Sequence, residues 1–71
     1  MEYLDKYDQL VNILTEEIEI DGKKFNLKAD FDKFFINGNK TAGTRIRKVM
    51  QEIKKLTQDV RNDVQEYKSK I

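Results

Sequence analysis

The sequence predicts a mainly α chain of the α+β kind, in the order helix, β-hairpin, short helix, long helix, and three observations carry that prediction. From Ile46 to Ile71 apolar residues return at alternating spacings of four and three, the period of a long helix with one adhesive side. Between Glu16 and Lys28 the period falls to two around Asp21-Gly22, which is the pattern of a hairpin. Proline, cysteine and histidine are all absent from the 71 residues, so nothing interrupts the helical pattern and no disulfide or Cys/His metal cluster shapes the chain.

In order, Tyr3, Tyr7, Leu10 and Leu14 recur at spacings of four, three and four, with Leu4 and Val11 beside them. They predict an amphipathic helix within residues 1–15 that buries one stripe. Residues 16–28 follow as the hairpin. A two-residue Asp21-Gly22 loop pairs Ile18 with Phe25, whereas a four-residue loop ending at Lys24 pairs Ile20 with Phe25 and Ile18 with Leu27. Asp-Gly favours the first and apolar matching the second, so both registers stay open. A lone hairpin is marginal in water and must lie against a helix or another chain.

Asp30 is the expected cap of a short helix over 30–36, ended by Asn37-Gly38, which tolerate left-handed backbone. Its Phe31, Phe34 and Phe35 are expected in the core. Stacking on bases is the other reading of such aromatics, but Asp30 and Asp32 beside them repel phosphate.

The last helix is expected over 39–70, roughly 45 Å at 1.5 Å per residue. Its seam runs through Ile46, Met50, Ile53, Thr57, Val60, Val64, Tyr67 and Ile71, widened by Val49 and Leu56. The N-terminal helix is about half as long and cannot cover that seam, so a second copy is expected to supply the partner. Ile46, Met50, Ile53, Val60, Val64 and Tyr67 are the expected oligomer seam of a dimer or higher homo-oligomer. The whole is expected to form one domain over 1–71.

Charge is unevenly divided: residues 1–38 hold five lysines against nine acids, and residues 39–71 hold nine Lys or Arg against four acids. The halves therefore carry −4 and +5, which suits either contact with a polyanion or attraction between the halves. Arg47, Lys54, Arg61 and Lys68, seven apart, form a stripe flanking the seam. Lys48 and Lys55 sit one position around, and Lys40 and Arg45 lie in the opening turns, where unpaired N–H groups and the helix dipole favour phosphate. Gly38 and Gly43 would admit a sugar-phosphate backbone, and Thr41 and Thr44 would add hydroxyls. Glu52, Asp59, Asp63 and Glu66 thin the positive field toward the C-terminus, so contact is expected to centre on Lys40 to Lys55.

The segment Gly38-Asn39-Lys40-x-Ala42-Gly43-Thr44-Arg45-x-Arg47-Lys48, continued by Gln51 and Lys54-Lys55-Leu56, resembles the bacterial histone H1-like nucleoid-associated proteins, the Hc1-like group. The resemblance runs from about Asp32 to Lys68, and the acidic hairpin region Glu16 to Leu27 reads as an insertion not typical of the group. It implies non-sequence-specific binding of double-stranded DNA through the phosphate backbone, and DNA condensation in a nucleoid. The residues it implicates are Lys40, Thr44, Arg45, Arg47, Lys48, Lys54 and Lys55. The chain as given lacks the lysine- and alanine-rich tail of many members, so about six to eight phosphate contacts per copy are expected, presented several copies at a time.

The rival expectation is a self-assembling coiled-coil protein, such as a virion component, with no nucleic-acid role; RNA binding ranks third. No enzyme is expected: Thr15, Thr41, Thr44, Thr57 and Ser69 have no evident base beside them. No cofactor or metal is expected either, because alternation sends Glu16, Glu17, Glu19 and Asp21 to opposite strand faces and the calcium-loop spacing is missing. No membrane role is expected: no apolar run approaches the ~18 residues of a span and the N-terminus lacks a signal-peptide pattern. A cytoplasmic, nucleoid-associated location follows, or a virion for a virus-encoded chain.

Overall fold

Asp21 and Gly22 decide the hairpin, since both take left-handed backbone, φ 52° and 77°, as a two-residue turn matched to the twist of its strands requires. In the computed structural model, which describes residues 2–71, strands β1 (Glu17–Ile20) and β2 (Lys23–Asn26) pair antiparallel with Ile18 opposite Phe25. Local turn chemistry thus overrides the register that matches more apolar side chains. Before the hairpin lies helix α1 (Glu2–Thr15), and after it come α2 (Leu27–Phe35) and α3 (Lys40–Lys68).

Helix α2 starts three residues earlier than the sequence suggests. Asn26, in extended backbone, accepts the Ala29 N–H on its side-chain oxygen at 3.0 Å, so Asn26 is the cap and Leu27 opens the helix instead of ending a strand. Asp30 is consequently one turn inside, with other work to do. Gly38 takes the left-handed conformation after the helix, φ 69°, and its N–H donates to Phe34 O at 2.9 Å. The chain then turns into α3, where Asn39 accepts the Ala42 N–H at 3.1 Å. Both long helices span close to their expected bounds.

The core lies where the hairpin and α2 meet the first half of α3. Ile20, Phe25, Leu27, Ile46 and Val49 are buried together, with Ile13, Ile18, Phe34 and Ile53 packed against them; each buried side chain of this size contributes about 1.5–3 kcal/mol. Val49, expected only to widen the seam, is completely buried, while Met50 is 39% exposed. The inward line of α3 is Ala42, Ile46, Val49, Ile53 and Leu56, rotated about one position from the predicted seam.

Helix α1 runs antiparallel to the second half of α3: Tyr3 meets Tyr67 edge-on at 5.8 Å between ring centroids, and Lys6 pairs with Asp63 at 2.7 Å. Together α1 and α2 span most of the length of α3, so α2 supplies cover that α1 alone is too short to give. The assembled rod measures 49 × 20 × 16 Å.

Two burial expectations are corrected. The helix α1 has two apolar lines and turns one inward: Tyr3, Leu10 and Ile13 are at least half-buried, whereas Leu4, Tyr7, Val11 and Leu14 face outward. The phenylalanines of α2 likewise divide. Phe34 packs against the core, Phe31 is at the boundary, and Phe35 is 69% exposed, because three aromatics in five positions subtend more of a helix than one neighbour can cover.

Candidate nucleic-acid interface

The opening of α3 carries cations on two sides, and the fold uses them differently. Arg45 faces the hairpin. Its Nε donates to Asp30 Oδ2 at 3.0 Å, its Nη2 donates to Lys24 O at 2.7 Å, and its guanidinium lies 4.6 Å from the centroid of the Phe25 ring. The Asp30 side chain is only 4% exposed and that of Arg45 36%. A carboxylate so buried needs its counter-charge, since removing one partner of such a pair leaves an uncompensated ion. Arg45 therefore ties α3 to α2 and β2.

The opposite side carries a row. Lys40, Arg47, Lys54, Arg61 and Lys68 succeed one another at seven-residue spacing, and all five are exposed. At 1.5 Å per residue they stand about 10.5 Å apart and drift about 20° per step around the helix. Among the described residues none of the five has a carboxylate within ion-pair distance. Three of the four acids expected to weaken this side are spent elsewhere, Asp63 on Lys6, Glu66 on Lys70 at 3.2 Å, and Glu52 on Lys55 at 3.5 Å, while Asp59 is exposed and without an ion pair among the described residues. Arg61 and Lys68, left out of the candidate set for the sake of those acids, stand as open as Arg47. The signal for including them is the heptad spacing back to Lys40.

The remaining candidates are intermediate. Lys48 reaches across to Asp21 at the hairpin turn, 3.2 Å, and Lys55 has Glu52 one turn behind it. Such exposed pairs are weak and exchange readily for another anion. Thr44 donates its hydroxyl to Lys40 O at 3.4 Å, turned back along its own helix.

Gly43 has a different reason from the one its position suggests. A Cβ there would come within 2.6 Å of the Phe34 ring, so the glycine seats α2 against α3 and is filled from inside. Of the expected oligomer seam, Ile46 and Ile53 face the chain's own core, and Tyr67 meets Tyr3. Val60 is half-buried between the helices, while Met50 and Val64 remain on the surface.

Beside the cation row, Phe34 and Phe35 floor a groove of about 390 Å³ whose rim includes Lys40, Thr44 and Arg47. No helix among the described residues is long and apolar enough to cross a membrane.

Compared with known proteins, residues 5–70 match the family model described as histone H1-like protein Hc1. The matched span takes in α1 and the hairpin as well as the segment around the start of α3. No curated protein and no solved structure matches the chain.

Proposed function

The chain belongs to the histone H1-like Hc1 family, and from that premise we propose that it binds double-stranded DNA without sequence preference, through phosphate contacts along the outer side of α3, and helps to compact or coat a genome. The observation that carries the reading is the row Lys40, Arg47, Lys54, Arg61 and Lys68, exposed and without carboxylate partners among the described residues. Phosphate contacts supply essentially all of non-specific affinity for DNA, and a row of cations about 42 Å long, winding about 80° around its helix, matches the length of roughly twelve base pairs. Lys48, Lys55 and Thr44 sit toward its edge and add secondary contacts. Arg45 serves the site by holding α3 in place.

Association of copies belongs to the same proposal. One copy offers a single row, which bridges nothing; two rows on one particle can hold two duplex segments. The outward line Leu4, Tyr7, Val11 and Leu14 on α1, with Val64 on α3, is the apolar surface that supports pairing of copies. Lys68 lines the same groove as Leu4 and Val64, so pairing there borders the C-terminal end of the cation row. Nucleoid association follows from the same reading.

A gel-shift titration at low and moderate salt is the test. Retardation of duplex DNA irrespective of sequence is expected, with log affinity falling against log salt at a slope of about −4.5 for five neutralised phosphates per copy. An assembly role without nucleic acid requires the opposite: associated copies and no retardation at any salt concentration.

A further inference from the structure

The geometry points to a second element of recognition beside the phosphate row: the outward face of Phe35 is a stacking platform for an unpaired base of the bound nucleic acid. This inference rests on the nucleic-acid reading and deepens it. Phe35 is 69% exposed and Ile36, next to it, 76%, although a side chain of either kind gains most by burial. The ring is not loose. It meets Phe34 edge-on at 4.8 Å and 81°, and Phe31 at 5.4 Å and 46°, so two aromatic neighbours brace its inner side and fix its orientation.

Charge identifies the occupant. The groove that Phe34 and Phe35 floor has Lys40 and Arg47 on its rim, the first two members of the row. A second copy seated here face to face would bring its Lys40 and Arg47 charges near those of the first, because a two-fold contact opposes the same patch to itself. What suits an aromatic face between two cations is a ligand with a flat π surface carried on an anionic chain, which describes a nucleotide strand. With Phe31 and Phe34 against part of it, the ring offers only its exposed part. It can stack on one base but cannot slide between two, so the base must already have left its duplex. Strands with accessible bases, single-stranded or gapped, are therefore bound more tightly than an intact duplex of equal charge.

The chain contains no tryptophan, so Phe35→Trp installs a sole indole at the site, and the exposed position tolerates the larger ring. Three probes are compared by anisotropy and indole emission: single-stranded oligothymidylate, a duplex of equal length, and inorganic polyphosphate, which has the charge without the bases. Quenching by oligothymidylate, little by duplex and none by polyphosphate is expected. In the otherwise unaltered chain, Phe35→Ala should weaken oligothymidylate binding about five-fold or more and leave the salt slope and helical content unchanged. Binding of all three probes without quenching, or an unchanged affinity in Phe35→Ala, overturns the stacking site and leaves the phosphate row standing. Indole emission that shifts with protein concentration before any probe is added places a second copy in the groove and also overturns it. Failure to bind any probe overturns the nucleic-acid reading itself, and the stacking site with it.

Discussion

Arg45 and Arg47 are two residues apart on one helix, about 200° around it, and they belong to different regions of the molecule. The hairpin side of α3 is closed: Arg45 is consumed by buried Asp30, Lys24 O and the Phe25 ring, and Lys48 reaches Asp21. The far side is open, with five cations at seven-residue spacing and three of the four acids of α3 drawn to Lys6, Lys55 and Lys70. The difference teaches that a run of basic residues is two surfaces once it is wound into a helix. One side holds the fold together; the other carries the cations without carboxylate partners among the described residues.

The largest effect should come from breaking the closed side. Arg45→Ala leaves the Asp30 carboxylate buried and alone, and should lower stability by about 3 kcal/mol, read as a fall in the urea midpoint. Arg47→Ala, two positions on, should stay within about 0.5 kcal/mol of the parent. Equal losses at the two positions would erase the distinction. Next in size is the joint between α2 and α3. Gly43→Ala drives a methyl into the Phe34 ring, at a cost of about 1–3 kcal/mol that should shrink when Phe34→Leu is added.

Smaller in its effect on the fold is the outer line of α1. Tyr7→Ser with Val11→Ser should separate associated copies in sedimentation while helical content persists; copies that stay together would locate their contact elsewhere. Smallest is Lys70. The hydrogen bond it donates to Glu66, with Tyr3 and the Glu66 charge nearby, holds its pKa above the ordinary 10.5. A raised lysine value contributes stability fully present below the unfolded-state pKa and lost as pH climbs through the folded one. Solvent screens this exposed pair to a small contribution, so Lys70→Gln should lower the thermal midpoint only slightly at neutral pH, where the contribution is fully present, and the difference should vanish at pH above the folded value; a large loss at neutral pH would assign the residue some further contact.

Much of this architecture is legible in the sequence, and what is not has identifiable causes. Periodicity marks α1 and α3, and the Asn37-Gly38 stop separates α2 from α3. Asp21-Gly22 marks the hairpin but not its register, because turn preference and apolar matching point to different pairings there. The start of α2 is obscured by two capping residues in competition, and Asn26 prevails over Asp30 because the latter is needed by Arg45. That pairing spans fifteen residues and follows no spacing rule, so the loss of Arg45 from the candidate interface has no local signal. The two apolar lines of α1 are both present in the sequence, yet periodicity alone does not say which one the chain covers itself. The cation row is different: seven-residue spacing from Lys40 to Lys68 is written in the sequence, and only the destination of Asp63, paired with Lys6, required the fold.

The salt dependence of duplex binding tests the central claim most directly, measured for the parent chain and for a variant carrying Lys40→Ala, Arg47→Ala and Lys54→Ala together. Each neutralised phosphate contributes about 0.9 to the slope, so a parent value near −4.5 should fall in magnitude by about 2.7, with the fold intact by circular dichroism. A slope unchanged by the three substitutions would contradict the account, for the phosphate contacts would then lie off the outer row of α3.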